Sequence, residues 1–142
     1  MKTRTIAYWV TTGFVALGFA FGGAMDLIGG KEVVEGMAHL GYAPYVATLL
    51  GIWKVLGAIA ILAPGLPRLK ELAYAGMLFD LTGASFSHAM SGDPVGKIVT
   101  PLVLLALVAA SYALRPSTRI LGSLFASRTD KATTPAVSVA TA

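Results

Sequence analysis

Long apolar runs separated by short polar stretches dominate this chain. Four runs cover residues 6–28, 45–63, 71–90 and 96–114, and each carries few charged side chains. A helix of about 20 residues spans roughly 30 Å, which matches the hydrocarbon core of a bilayer. The pattern therefore predicts an all-α fold, an integral membrane four-helix bundle.

The segments between the runs carry turn signals. Gly29-Gly30 follows the first run, and residues 31–40 mix charged side chains with apolar ones at helical spacing, which predicts a short interfacial helix. Residues 64–67 read Pro-Gly-Leu-Pro, a strong turn signal between the second and third runs. Residues 117–142 are polar and rich in Ser, Thr and Ala, which predicts a tail that is disordered over most of its length.

The start of the chain also fits a secretory signal peptide, because a basic segment precedes an apolar run. The run over residues 6–28 is longer than a typical signal core of about 7–15 residues, and no small-x-small cleavage site ends it. We therefore expect it to remain as the first span, so that residues 1–116 form one transmembrane domain.

Composition supports the membrane class. The chain is 56% hydrophobic and 13% charged, whereas soluble domains carry about 25% charged residues. It has no cysteine, which excludes disulfides, thiol redox chemistry and cysteine metal ligands within the chain. The net charge of +4 does not indicate nucleic-acid binding, because the basic residues stand at the ends of apolar runs, as topology signals do.

The distribution of Lys and Arg predicts the orientation. The first and third connections carry only Lys31 and Lys97, so the positive-inside rule places both termini in the cytoplasm, in a multi-pass protein of the inner membrane. An even number of spans also puts both termini on one side. The residues on the predicted cytoplasmic side are Lys2, Arg4, Arg68, Lys70, Arg115 and Arg119.

Three of the runs carry a face of small residues that is interrupted by an ionisable one. Small faces let helix backbones approach closely in lipid, so packing is the simplest interpretation. The faces comprise Gly18, Gly22 and Asp26 in the first run, Ala47, Gly51, Lys54, Gly57 and Ala58 in the second, and Gly76, Asp80, Gly83 and Ser87 in the third.

Lys54 and Asp80 lie near the middle of neighbouring runs. A charge at that depth costs a few kcal/mol or more unless it faces protein, so we expect the two to form an ion pair. Such a pair either fixes helix packing or serves as a proton relay or an anchor for a ligand head group. His88 lies eight residues beyond Asp80, about 12 Å along a helix, so a polar track could run between them.

The predicted outer end collects further polar residues. Metal coordination is one interpretation, because Glu35 and His39 stand at i and i+4 and could meet His88 and Asp26. That spacing is a weak signal, so no metal site is predicted. His88 also fits a hydrogen-bonding residue at a helix end, and Trp53, beside Lys54, fits a core residue or a pocket wall. The full set at this end is Asp26, Glu32, Glu35, His39, His88, Asp93 and Lys97.

Several motifs carry a resemblance to a known family. They are Gly51-Ile52-Trp53-Lys54-Val55-Leu56-Gly57, the stretch 69–76 (LKELAYAG), Phe79-Asp80, Ser87-His88 and Gly92-Asp93-Pro94. Together they resemble the DoxX-like family of small bacterial four-helix membrane proteins, over residues 6 to about 115. The family's name derives from a subunit of a thiosulfate:quinone oxidoreductase, and relatives are linked to membrane redox complexes. The resemblance thus implies a four-helix membrane bundle and, loosely, a quinone-linked function.

The first class of function that we expect is a membrane oxidoreductase, or its membrane subunit, with a site inside the bundle. Because the chain has no thiol, a redox role needs a bound quinone or a redox partner protein. Lys54 would hold a quinone carbonyl or stabilise an anion, and Asp80 and His88 would move protons. The candidate substrate-binding residues are Trp53, Asp26, His39 and Ser87. A non-redox alternative is an acid–base isomerase or hydrolase that acts on a lipophilic small molecule.

The second class is non-catalytic, namely an accessory or assembly subunit that binds a partner protein through its loops and small-residue faces. Self-association into a homo-oligomer is compatible with either class. One observation separates the two classes. A sizeable cavity that touches Lys54 and Asp80 favours the first, whereas a close-packed core with a satisfied ion pair favours the second.

Overall fold

Five α-helices and one short 3-10 helix make up the part of the chain that the computed structural model describes, residues 2–120. No strand occurs within these residues, so the predicted all-α fold is confirmed there. The predicted tail from residue 121 onward lies outside the described residues. The helices are α1 (Lys2–Ile28), α2 (Lys31–His39), α3 (Tyr45–Leu62), α4 (Pro67–Met90) and α5 (Val95–Leu114), and the 3-10 helix is Ser117–Arg119.

The helix boundaries follow the turn signals of the sequence. α1 ends one residue before Gly29-Gly30, and the interfacial helix predicted over residues 31–40 is α2. α4 begins at Pro67, whose missing N–H costs nothing in the first turn of a helix. Pro101 lies inside α5, where it removes one backbone hydrogen bond.

The four long helices contact one another in a closed order. α1 packs against α3 and α5, α4 packs against the same two helices, and α2 packs against α3. In the core, the hydroxyl of Ser111 lies 2.7 Å from those of Thr12 and Tyr74, which joins α5 to α1 and α4 and satisfies three buried polar groups. The surrounding apolar core comprises Val15, Ala16, Phe19, Ala58, Ile61, Tyr74, Met77, Leu81 and Val108.

Three of the helices, α1, α3 and α5, are long and apolar enough to cross a membrane. The fourth long helix, α4, has 24 residues but carries more charged side chains. Its outward surface is nevertheless apolar, with Leu72, Phe79 and Phe86 each more than 60% exposed. Large apolar side chains on the outside of a helical protein are what a lipid environment accepts, so the described helices are those of a membrane protein.

A close crossing of two helices joins α1 to α3 at a pair of buried glycines, Gly23 and Gly51. A Cβ atom on Gly23 would lie 2.9 Å from the Gly51 carbonyl oxygen, and one on Gly51 would lie 2.8 Å from the Gly23 carbonyl oxygen. The predicted packing role of the small faces therefore holds for Gly51, but on α1 the contact residue is Gly23 rather than Gly22. On α4 the predicted face does not pack in this way, because a Cβ atom on Gly83 would meet nothing within 4 Å.

The two ends of the molecule differ in charge. One end, here named the basic end, comprises the starts of α1 and α4 and the ends of α3 and α5, and it holds the six basic residues that served as topology signals. There Arg4 donates a hydrogen bond to the Ala113 carbonyl at 3.2 Å, and Arg115 forms an ion pair with Glu71 at 2.7 Å. The opposite end, here named the α2 end, carries α2 and the turn between α4 and α5.

Arg119, at the start of the predicted tail, is anchored to the helices. Its guanidinium carbon lies 4.6 Å from the centre of the Trp9 ring and 5.8 Å from that of Tyr8. The same side chain donates a hydrogen bond to the Ile61 carbonyl at 3.2 Å. Arg119 makes both kinds of contact because an arginine can stack on aromatic faces while it donates to backbone oxygens.

Candidate functional site

Lys54, at the middle of α3, forms its ion pair with Asp26 of α1. The Lys54 Nζ lies 2.8 Å from Asp26 Oδ2, and the side chains are 22% and 13% exposed. The sequence predicted Asp80 as the partner, and that prediction is wrong. Within the part of the chain that the structure describes, Asp80 makes neither an ion pair nor a hydrogen bond.

Two features direct Lys54 toward Asp26 rather than Asp80. The glycine crossing brings α1 close, so that a Cβ atom on Gly51 would lie only 3.0 Å from Asp26 Cβ. In addition, Cα–Cβ bonds lean toward the N-terminus of their helix. On α3 this lean carries Lys54 toward the α2 end, whereas on the antiparallel α4 it carries Asp80 toward the basic end.

A cavity of about 710 Å³, here named the large cavity, lies between α3 and α4. It runs from Lys54 and Asp80 at mid-helix to Leu66 and Leu69 at the basic end. Its volume is within the range of about 300–1,000 Å³ that is typical of ligand pockets. This is the cavity that the first class of function requires, since it touches both Lys54 and Asp80.

The lining of the large cavity is apolar apart from one end. Lys54 and Asp80 are the only acidic or basic side chains among its lining residues, and Trp53, Phe79 and Leu72 stand at its outer edge, each more than 60% exposed. Trp53 is therefore a wall residue, one of its two predicted roles. A cavity of this kind accommodates a molecule that is mostly hydrocarbon and ends in one polar group.

A second cavity of about 240 Å³, here named the small cavity, lies among α1, α4 and α5. It shares Phe19, Lys54 and Asp80 with the large cavity, so these three side chains stand between the two. Its remaining wall includes Gly22 of α1 and Ala84 of α4. Lys54 and Asp80 are thus reached from two separate spaces.

A polar cluster at the α2 end is built around Asp93. Asp93 Oδ2 lies 2.7 Å from His88 Nδ1 and 3.1 Å from His39 Nε2, and its Oδ1 accepts a hydrogen bond from Lys97 at 3.3 Å. Gly92, at a φ of 69°, lets the chain turn after α4 so that the Asp93 N–H bonds the His88 carbonyl. The cluster ties α2 to the turn between α4 and α5.

The cluster keeps Asp93 ionised. The hydrogen bond from His88, reinforced by those from Lys97 and His39, lowers the pKa of Asp93 from its ordinary 3.8 to about 2, although partial burial acts in the opposite direction. Partners that donate to a carboxylate favour its charged form. Asp93 is therefore the anionic centre of the α2 end.

The predicted site residues fall into two groups. Trp53, Lys54 and Asp80 line the large cavity and Asp26 is the ion-pair partner of Lys54, whereas His39 and His88 belong to the cluster around Asp93. Ser87 lies beside that cluster, where its hydroxyl contacts Tyr42 Oη at 2.8 Å and donates to the Gly83 carbonyl. Two of the metal-site candidates stand apart, because Asp26 pairs with Lys54 and Glu35 with Lys31. No group of three or more possible metal ligands is found within the described residues.

Sequence reasoning missed several residues of the site. Phe19, which separates the two cavities, was read only as part of an apolar run, and Gly76 was assigned to helix packing although it lines the large cavity. Asp26 is among the predicted site residues, but its role as the counter-ion of Lys54 is not predicted. No local signal distinguishes these roles, because each depends on which way a helix faces.

These features define the class of the protein, which is a helical membrane protein with buried charges beside an apolar cavity. The comparisons with known proteins then place the chain in a family. The model of the DoxX-like family matches residues 10–111, and the chain therefore belongs to that family. A search of curated proteins and a search of solved structures return no match. The resemblance found in the sequence motifs is thus confirmed.

Proposed function

We propose that this DoxX-like protein is the membrane subunit of a quinone-linked oxidoreductase and that it binds a quinone in the large cavity. The observation that carries the proposal is the apolar space of about 710 Å³ between α3 and α4, closed at one end by Lys54 and Asp80. A quinone combines a long hydrocarbon tail with one ring that carries two carbonyl oxygens. The cavity offers apolar walls for the tail and a polar end for the ring.

The residues at the polar end fit the demands of such a ring. The Lys54 ammonium has three N–H donors, of which one is directed at Asp26, so others remain for a carbonyl oxygen. Asp26 holds the ammonium in place and compensates its charge. Asp80, without a hydrogen-bonding partner of its own among the described residues, has a free carboxyl group to exchange a proton with a ring oxygen.

A bound quinone would accept two electrons and two protons and leave as a quinol. The chain has no cysteine, so it has no thiol of its own to supply electrons. We propose that a redox partner protein supplies them. The role of this chain is then to bind the quinone from the lipid, to stabilise negative charge on the ring oxygen through Lys54, and to deliver protons through Asp80.

The same proposal covers the arrangement in the membrane. We propose that α1, α3, α4 and α5 each cross the inner membrane, with α2 at the outer interface and both termini in the cytoplasm. The grouping of Lys and Arg at the basic end supports this orientation. His88, His39 and Ser87 would then lie at the outer end. His88 stands about 12 Å from Asp80 along α4, too far for both to touch the same ring.

The test is to identify the lipids that copurify with the protein. The protein would be purified in mild detergent and extracted, and the bound molecules quantified by mass spectrometry. We expect a quinone at close to one per chain in the wild type and at least a tenfold lower amount in Asp80→Asn.

A steric variant with a matched control makes the result independent of charge. Gly76→Leu should fill the large cavity and expel the quinone, whereas Gly83→Leu, on the same helix, should retain it. A Cβ atom at either glycine would meet nothing within 4 Å, but only Gly76 lines the cavity. Equal quinone content in both variants would refute the site. A different lipophile lost in Gly76→Leu would favour the acid–base alternative, and no bound molecule in the wild type would favour the accessory subunit.

A further inference from the structure

The small cavity stands between Asp80 and the polar cluster at the α2 end. We propose that it is a water-filled access route through which water and protons reach Asp80 from the α2 end of the molecule. This inference goes beyond the proposed function, because it holds whichever molecule occupies the large cavity.

The position of the small cavity along the helices supports a route from the α2 end. Gly22 and Ala84, which line it, each lie six residues before the end of their helix at that side. Six residues correspond to about 9 Å of helix. The large cavity, in contrast, extends from Asp80 toward Leu66 and Leu69 at the basic end.

The register of α4 places the polar cluster directly in line with the cavity. Asp80, Ala84 and His88 stand at i, i+4 and i+8, which puts them on one face of the helix. Ala84 lines the cavity, and His88, at the α2 end of this face, bonds Asp93 at 2.7 Å. The His88 side chain is 24% exposed, so the face is in contact with the surroundings of the protein at the α2 end.

The chemistry of the wall favours water over lipid. A cavity of about 240 Å³ has room for about eight water molecules, each with about 30 Å³ of liquid volume. Lys54, Asp80 and the Thr100 hydroxyl supply several polar partners, which buried water requires. The large cavity has the same two charged groups but more than twice the apolar wall.

Asp80 therefore faces two unlike environments. Its carboxylate can take a proton from water in the small cavity and present it on the side of the large cavity. The proton leaves a water molecule or a hydronium ion and bonds to a carboxylate oxygen, so no other bond changes. Phe19, which lines both cavities, separates the apolar space from the wet one.

Cysteine accessibility tests the route directly, because the chain contains no native cysteine. Ala84→Cys would report on the small cavity and Gly76→Cys on the large one. The full-length variants would be treated in native membranes with the charged thiol reagent methanethiosulfonate ethyltrimethylammonium. We expect Ala84→Cys to be modified at least tenfold faster than Gly76→Cys. Equal rates, or faster modification of Gly76→Cys, would overturn the proposal.

Two reference positions identify the side of entry without any assumption about orientation. Glu32→Cys marks the α2 end and Arg68→Cys marks the basic end, and both native side chains are exposed. The reagent should reach Ala84→Cys from the side on which it reaches Glu32→Cys. Entry from the Arg68→Cys side would refute the route.

A variant that fills the small cavity tests whether the reagent enters through this cavity or through a general loosening of the fold. In the Ala84→Cys background, Gly22→Leu should fill the small cavity and slow modification at least tenfold. Gly13→Leu, the same change on the same helix away from both cavities, should leave the rate unchanged, since a Cβ atom at either glycine meets nothing within 4 Å. An unchanged rate in Gly22→Leu would contradict the proposal. Complete reaction of every variant after denaturation in sodium dodecyl sulfate confirms that each thiol is present.

Discussion

A lysine at the middle of an apolar helix needs a carboxylate within reach, and Lys54 has two on neighbouring helices. It binds Asp26 at 2.8 Å and leaves Asp80 without an ion-pair partner among the described residues. This division gives the two carboxylates different tasks. Asp26 compensates the lysine, whereas Asp80 remains available to whatever enters the cavities.

Replacement of each carboxylate by its amide tests this division. Asp26→Asn leaves the Lys54 charge uncompensated and should lower the free energy of unfolding by on the order of 2–4 kcal/mol, somewhat less than for a fully buried pair. Asp80→Asn breaks no pair and should change it by less than about 1 kcal/mol. Thermal unfolding in detergent, followed by circular dichroism, measures both. The reverse order would restore Asp80 as the partner that the sequence predicted.

The glycine crossing between α1 and α3 fixes which face of each helix carries the ion pair. Gly23→Ala or Gly51→Ala would place a methyl group within 2.9 Å of a backbone oxygen, and overpacking of this kind costs about 1–3 kcal/mol. Gly83→Ala is the matched control, since its methyl group meets nothing within 4 Å and a helical Gly→Ala change gains roughly 0.5–1 kcal/mol. Thermal unfolding should therefore shift in opposite directions. A stabilised Gly51→Ala would show that the helices do not cross there.

At the scale of the helices, the α2 end is joined by side chains rather than by a shared apolar core. α2 has no buried residue, and His39 at its end reaches Asp93 in the turn after α4. The strength of this junction depends on the charge of Asp93. It is thus a contact between elements for which the structure predicts a response to pH.

The sign of that response follows from the lowered pKa of Asp93, about 2 against an ordinary 3.8. A carboxylate whose pKa is lower in the folded than in the unfolded state stabilises the folded state. This contribution is fully present above the pKa of the unfolded state and is lost as the pH falls through the pKa of the folded state. Wild type should therefore lose more stability than Asp93→Asn between about pH 4 and pH 2. The measurement is the difference in unfolding temperature between the two across this range, which removes the effect of other carboxyl groups. A difference that does not change with pH would contradict the assigned role.

The elements themselves were predictable because apolar run length fixes helix length. The run at 45–63 became α3 and the mixed segment 31–40 became α2, with boundaries within a residue. The closeness of Lys54 and Asp80 was predictable too, since both line the same two cavities. The direction that each side chain faces was not, because rotation about a helix axis is set by contacts such as that between Gly23 and Gly51, which no single run contains.

Lys70, in the first turn of α4, is a second residue whose direction could not be predicted from the sequence. In the sequence it marks topology, yet in the structure it is fully buried and donates to the carbonyls of Ala60, Ile61 and Ala63. These carbonyls stand at the end of α3 and have no partner within the helix. A lysine placed beyond the following turn can satisfy them only if α4 folds back against α3. The cap is therefore a property of the helix pair, and neither run predicts it alone.

For the whole molecule, the decisive question is whether α4 crosses the membrane. Its average composition is more polar than that of the other long helices, but two of its charged side chains, Lys70 and Asp80, turn inward. Lys70 is fully buried, and Asp80 lines the cavities, whereas Phe79, Phe86 and Leu72 face outward. A helix that packs against both α3 and α5 with an apolar outer surface can be placed in lipid, which is the arrangement that we propose.

The two ends of the described chain test this count of spans. Four spans put the start of α1 and the end of α5 on one side, and the hydrogen bond from Arg4 to the Ala113 carbonyl already joins them in the structure. Lys2→Cys and Ser117→Cys should therefore react with an impermeant maleimide from the same side, and Glu32→Cys from the other. With the basic end in the cytoplasm, the first two should react in inside-out vesicles and not in intact cells. Labelling of Lys2→Cys and Ser117→Cys from opposite sides would mean an odd number of crossings, which would remove α4 from the bilayer and Asp80 from the depth on which the proposed site depends.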